Sequence, residues 1–121
     1  MRVVIDTNVL VSALRYRRGA SFRFVQKLGS PQFQPVISPP LCLEYEDVFR
    51  RPGLLPGYTA QDSGDFLDLL SGRVHRVPDS FPLAGSAPFI ITHNTRDFQG
   101  VDALGIRAVT PDDFLSILSA A

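Results

Sequence analysis

Short apolar runs alternate along this chain with longer segments of helical spacing. Val3, Val4 and Ile5 form a β-branched run that ends at one carboxylate, Asp6, and a buried strand is predicted there. Asn8 to Leu14 follows with Val9, Leu10, Ala13 and Leu14 apolar, the start of a helix. Ser21 to Leu28 reads as a second amphipathic helix with Phe22, Val25 and Leu28 on one face, ended by Gly29-Ser30-Pro31. Gln34 to Ile37 is short, apolar and β-branched, a second strand. Ser38-Pro39-Pro40 sets an N-cap before a first-turn proline, so a helix is expected from there to about Arg51. Its Leu41, Tyr45, Val48 and Phe49 share a face, and Pro52-Gly53 stops it.

The second half repeats the alternation. Thr59 to Leu70 has Phe66, Leu67, Leu69 and Leu70 on its apolar side and Asp62, Asp65 and Asp68 on a solvated one. Val74 to Val77 is a short edge strand. Pro78 to Pro88 holds three prolines and a glycine in eleven residues, so no full helix fits there. Pro88 to Thr92 is a buried strand that runs into a polar turn, His93-Asn94-Thr95-Arg96-Asp97-Phe98. Ile106 to Val109 is the last strand, and Thr110-Pro111-Asp112-Asp113 opens a terminal helix with Phe114, Leu115 and Leu118 inside. Strands alternating with helices predict an α/β domain with a parallel sheet and helices on both faces.

Length and composition narrow the function classes. The 121 residues are expected to form one domain spanning 1–121, large enough to bury a core without staples. No apolar run approaches the ~20 residues of a membrane span, and no secretory pattern precedes the first strand. Cys42, the single cysteine, fits a small buried hydrophobe in a reducing cytosol, so a cytoplasmic location is expected. A formal net charge of zero argues against a general nucleic-acid coat protein but leaves room for a local basic patch. Arg15, Arg17 and Arg18 make such a knot after the first helix. It reads either as a phosphate contact or as a solvated loop.

The candidate chemistry lies where strands stop. Asp6 and Asp97 follow strand ends, and Glu44 sits on the helix after the second strand. A parallel sheet brings all three to its carboxyl edge, where open α/β sheets place their ligands. Convergent carboxylates repel one another unless a divalent cation sits between them, and Mg²⁺ and Mn²⁺ prefer such oxygens. Asp6 has a second reading as the N-cap of the following helix, and the local residues leave both open. His93 reads as a turn residue or as a proton carrier beside a substrate, and His75 as a strand surface residue. Neither a G-x-x-x-x-G-K nor a G-x-G-x-x-G motif is present, so nucleotide binding has no support.

DTNVLVSAL, ISPPLCLEYEDVFRRP, PFIITHNTRDF and GIRAVTPDDFL, in that order, resemble the PIN domain. More narrowly they resemble its VapC-like branch, toxin components of toxin–antitoxin systems. The resemblance implies a three-layer α/β/α fold with a short central parallel sheet and a metal-dependent ribonuclease that cuts RNA phosphodiester bonds. It implies that Asp6 and Glu44 are metal-binding catalytic acids. The last acidic position falls on the turn after the fourth strand, where Asn94 can offer a carbonyl oxygen and Asp97 is either ligand or support. Thr7 and Asn8 would orient Asp6, Mg²⁺ or Mn²⁺ would be the cofactor, and Arg15, Arg17, Arg18 and Arg96 would face the RNA backbone. An antitoxin protein and a second copy of the chain are the expected partners. One departure is plain. Relatives carry an acidic stretch and a helix where this chain has RVPDSFPLAGSAP, on the order of twenty residues fewer. One helix is therefore expected to be missing or shortened, with Asp79 a loop residue. The apolar face of the Pro88–Thr92 strand is then expected to be bare unless a loop or another chain covers it. The alternative to a ribonuclease is a catalytically impaired PIN-like module that binds RNA or an antitoxin without cutting.

Overall fold

The computed structural model describes residues 2–37, 39–51, 53–55, 57–72, 75–76 and 89–120. Its strands are β1 (Arg2–Ile5), β2 (Gln34–Ile37), β3 (His75–Arg76), β4 (Phe89–Ile91) and β5 (Arg107–Val109). They form one sheet in the order β3-β2-β1-β4-β5, and each neighbouring pair is parallel. The helices are α1 (Thr7–Arg15), α2 (Ala20–Gln26), α3 (Pro39–Phe49), α4 (Ala60–Ser71) and α5 (Pro111–Ala120). Two 3₁₀ turns, Thr95–Phe98 and Val101–Leu104, link β4 to β5. The α/β arrangement is the expected one.

β1 is central because both its neighbours pair with it in register. Val3, Val4 and Ile5 stand beside Phe89, Ile90 and Ile91, and Arg2 and Val3 beside Gln34 and Pro35. Alternation then puts Val3 and Ile5 on one face with Phe89 and Ile91. Val3, Ile5, Ile91 and Val109 join the main core, together with Val9 and Leu10 of α1, Phe114 and Leu118 of α5, and Tyr45 and Phe49 of α3. Phe24, Phe33 and Phe114 meet pairwise with centroids 5.3–5.7 Å apart, a geometry aromatic rings favour.

Several local details differ from expectation. On α2 the fully buried ring is Phe24, whereas Phe22 is only half-buried. The helix begins at Ala20 and ends at Gln26, so the buried stripe runs Ser21, Phe24, Leu28, the last past a turn at Lys27. Leu69, expected inside, is 56% exposed, while Leu70 next to it is buried. Asp62, Asp65 and Asp68 are exposed as expected, and Asp62 also closes a capping box with Thr59. Ile90, on the opposite face from Ile91, is 3% exposed, so β4 is covered on both faces within a single chain. Ser38, Pro52, Asp79 and the Pro78–Pro88 segment lie outside the described residues, as does the side chain of His75.

Candidate active site

β1 delivers Asp6 to the carboxyl edge of the sheet, where its own N–H still continues the ladder to Ile91 O at 2.9 Å. Its φ of −64° and ψ of 137° are extended, and it is the N-cap of α1. Oδ1 accepts the Asn8 N–H at 3.4 Å, a long bond that leaves this oxygen largely free. Oδ2 accepts the Thr92 hydroxyl at 2.7 Å, and Thr92 Oγ1 in turn accepts the Asn94 N–H at 3.0 Å. The hydroxyl thus works as donor and acceptor at once. The two readings of Asp6, cap and site carboxylate, are therefore compatible: one oxygen serves the helix weakly and the other is fixed by the neighbouring strand.

Tyr45 links the second acid to the first. Its buried hydroxyl donates to Ile5 O, the carbonyl just before Asp6, through a short bond. Burial, then the charge of Glu44, then that of Asp6 and of Cys42 push the Tyr45 phenol far above its ordinary range, so it stays a neutral donor. Tyr45 thus ties α3, which carries Glu44 one residue before it, to the strand end that carries Asp6. Glu44 itself is exposed on α3. Thr7, 3% exposed in the first turn of α1, buries a hydroxyl that has no hydrogen-bond partner among the described residues. Buried hydroxyls without partners are uncommon, and this one follows Asp6 directly in the chain, which marks a place for a further polar group.

The remaining expected residues are more dispersed. Asn94 is exposed and precedes the 3₁₀ turn, with no side-chain cap bond to it. Asp97 and Arg96 are exposed in that turn, which the Asp97 N–H closes onto Asn94 O at 3.0 Å. Asn8 is exposed and contributes its backbone to Asp6. Among the described residues no three His, Cys, Asp or Glu side chains lie close enough together to hold a metal ion. Arg15, Arg17 and Arg18 are exposed at the far end of α1, nine residues and so roughly 13 Å of helix from Asp6. His93 is neither free nor at Asp6: its Nε2 meets Ser21 Oγ on α2 at 2.9 Å. A cleft of about 670 Å³ between α3 and α4, lined by Phe49, Arg50, Tyr58, Ser63 and Leu67 among others, involves none of the expected site residues.

Compared with protein-family models, the chain matches the PIN domain over residues 2–76. The chain belongs to the PIN domain family. The matched span carries Asp6, Thr7, Asn8, Glu44 and the arginine knot, and it stops at the end of β3, before the twelve residues 77–88 and the β4 turn. No curated protein matches the chain. PIN membership points to nuclease activity in general, and PIN domains generally use divalent metal ions. The donor chemistry at this edge fits such a hard cation: the Asp6 carboxylate, Glu44 one residue before Tyr45 on α3, an amide side chain two residues past Thr92, and the orphaned Thr7 hydroxyl. No helix among the described residues is long and apolar enough to cross a membrane.

Thr92 and Tyr45 are the two residues of this site that sequence reasoning passed over. Thr92 was visible only as the end of a strand, and Tyr45 only as a member of an apolar stripe. The signal for Tyr45 was its hydroxyl, which must find a partner when the ring is buried.

Proposed function

We propose that this PIN domain is a metal-dependent endoribonuclease of the toxin type, hydrolysing RNA phosphodiester bonds. The observation that supports this reading is the Asp6 carboxylate at the carboxyl edge of β1, oriented by the Thr92 hydroxyl just past β4, with Tyr45, the chain neighbour of Glu44 on α3, bonded to the carbonyl just before Asp6. Asp6 and Glu44 are the residues that would hold Mg²⁺ or Mn²⁺, with Asn94 or Asp97 completing the donor set. A bound divalent ion supplies an activated water and offsets the negative charge that builds on the phosphate. Thr92 and Asn8 keep Asp6 oriented, and Tyr45 stays neutral and holds the end of β1. Arg96, exposed in the same turn as Asp97, is the residue of that turn that would meet a phosphate. An antitoxin protein and a homodimer are the partners this assignment carries with it, in the cytoplasm.

One observation favours a second reading. Among the described residues no set of three metal-binding side chains is assembled, which suits a PIN module that binds RNA or an antitoxin without cutting. Incubation of the purified chain with single-stranded RNA and Mn²⁺, beside Asp6→Asn, decides between them. Cleavage by the wild type that the variant loses supports the enzyme. RNA left intact by the wild type, with the chain folded, supports the binding module and sinks the nuclease. A small upstream reading frame for a DNA-binding antitoxin would support the toxin assignment.

A further inference from the structure

The turn between α1 and α2 concentrates positive charge that nothing described neutralises. Arg15, Arg17 and Arg18 line an open depression of about 690 Å³ with Tyr16, Leu55 and Tyr58, and among the described residues no acid lines it. Among the described residues the ion pairs involve other arginines, Arg23 with Asp112 and Arg51 with Asp47. In a chain of zero net charge, three uncompensated guanidinium groups within four residues are a local anomaly.

The depression is built. Tyr58 Oη donates to Leu14 O at 3.0 Å and accepts Arg17 Nε at 3.2 Å and Nη2 at 2.8 Å. The Arg17 guanidinium also sits 5.8 Å from the Tyr58 ring centroid. Arg17 is therefore held by a neutral partner, which fixes its position and keeps its full charge. The turn itself is tied by Tyr16 N–H to Ser12 O at 2.8 Å and by Gly19 N–H to Tyr16 O at 3.0 Å. A side chain in place of Gly19 would crowd Tyr16 O at 3.3 Å, so the tight turn suits glycine. From this fixed turn Tyr16 projects with 64% of its surface exposed, a large aromatic ring standing among arginines.

A groove that pairs guanidinium groups with an open aromatic face suits a strand whose bases are free to stack. A duplex offers its phosphates but keeps its bases stacked inside, so it would gain nothing from Tyr16. We propose that this depression binds single-stranded RNA, with a phosphate on Arg15 and Arg18 and a base stacked on Tyr16. The inference rests on RNA being the ligand of this PIN domain, but it does not require cleavage. It lies one helix from Asp6, roughly the length of four stacked nucleotides at ~3.4 Å each. It therefore acts as a separate grip on the strand beyond the cleaved bond.

The test is fluorescence anisotropy of a fluorescein-labelled single-stranded oligoribonucleotide with the full chain in EDTA, beside the same sequence as a duplex. Tyr16→Ala is expected to weaken single-strand binding on the order of tenfold and to leave duplex binding unchanged. Arg15→Ala with Arg18→Ala is expected to weaken both and to flatten the salt dependence by about 0.7 in log–log slope for the single strand, the share of the one phosphate lost. Circular dichroism melting of each variant checks that the exposed substitutions leave the fold intact. Equal single-strand affinity in Tyr16→Ala and wild type overturns the proposal. So does a wild type that fails to bind RNA, or one in which acidic polyglutamate displaces the RNA as effectively as unlabelled RNA does. Binding in EDTA without cleavage in Mn²⁺ would sink the nuclease reading and leave this one standing. Cleavage that needs Asp6, with no effect of Tyr16, would do the reverse.

Discussion

Thr92 donates its hydroxyl to Asp6 Oδ2 at 2.7 Å across the β1–β4 boundary while it accepts the Asn94 N–H. One buried side chain thereby joins the two sheet ends that carry the candidate site. Thr92→Val keeps the shape and removes both bonds. A hydrogen bond to a charged group contributes about 1.5–3 kcal/mol, so the variant is expected to lose about 2 kcal/mol in urea unfolding. On the proposed function, RNA cleavage in Mn²⁺ should fall as well, because Asp6 loses its orientation. Thr92→Ser should retain most of both. A Thr92→Val chain as stable as wild type would show that the hydroxyl does not make these bonds in solution.

Asp6 serves as helix cap and as site carboxylate, and the two roles separate by substitution. Asn is as good an N-cap as Asp, but its single oxygen serves either the Asn8 N–H or the Thr92 hydroxyl and carries no charge, so Asp6→Asn should lose about 1 kcal/mol of stability while abolishing cleavage. Asp6→Ala removes the cap and the acceptor of the Thr92 hydroxyl together and should cost about 3 kcal/mol in all. Paired urea denaturation and cleavage assays read the two effects. Full activity in Asp6→Asn would remove Asp6 from the chemistry.

Tyr45 predicts a pH dependence. Its phenol is raised above the ordinary value of 10.0 by burial first and by the Glu44 and Asp6 charges next. The folded state therefore holds a proton that the unfolded chain releases. The stability this contributes is complete below about pH 10 and declines as pH rises above it. Tyr45→Phe should flatten that alkaline decline, at a cost of about 1 kcal/mol near neutral pH for the lost bond to Ile5 O. Thermal melts at stepped alkaline pH measure it. An identical alkaline decline in wild type and Tyr45→Phe would show that Tyr45 is not the group responsible.

The elements were legible because their punctuation is chemical. Thr110 Oγ1 accepts the Asp113 N–H at 3.1 Å, the cap that Thr-Pro-Asp-Asp spells, and β2 falls on Gln34–Ile37 as its β-branched run requires. The α2 face was misjudged because Phe22 and Phe24 look alike in sequence. Only the neighbours Phe33 and Phe114, distant in the chain, decide which ring goes inside. The site was half legible. A strand-end acid such as Asp6 is visible from one segment. The Thr92–Asp6 bond spans 86 residues, and the His93–Ser21 bond spans 72, so neither has a local signature. The arginine knot was visible, but not the Tyr58 hydroxyl that seats Arg17, because the two residues are 41 apart.

Thr7 offers the sharpest separation of stability from function. Its hydroxyl is buried at 3% exposure with no partner among the described residues, and a buried unsatisfied hydroxyl costs roughly 1–3 kcal/mol. Thr7→Val keeps the branched shape and removes that cost, so the variant is expected to unfold at higher urea by about 1 kcal/mol. If the hydroxyl is there to serve a metal-loaded site, the same variant should cleave RNA more slowly, the trade of stability for activity that polar active sites impose. Thr7→Ser should keep the activity and lose a little stability from the missing methyl. A Thr7→Val chain that is less stable than wild type would mean that the hydroxyl has a partner in the folded protein, and it would remove Thr7 as a mark of the site.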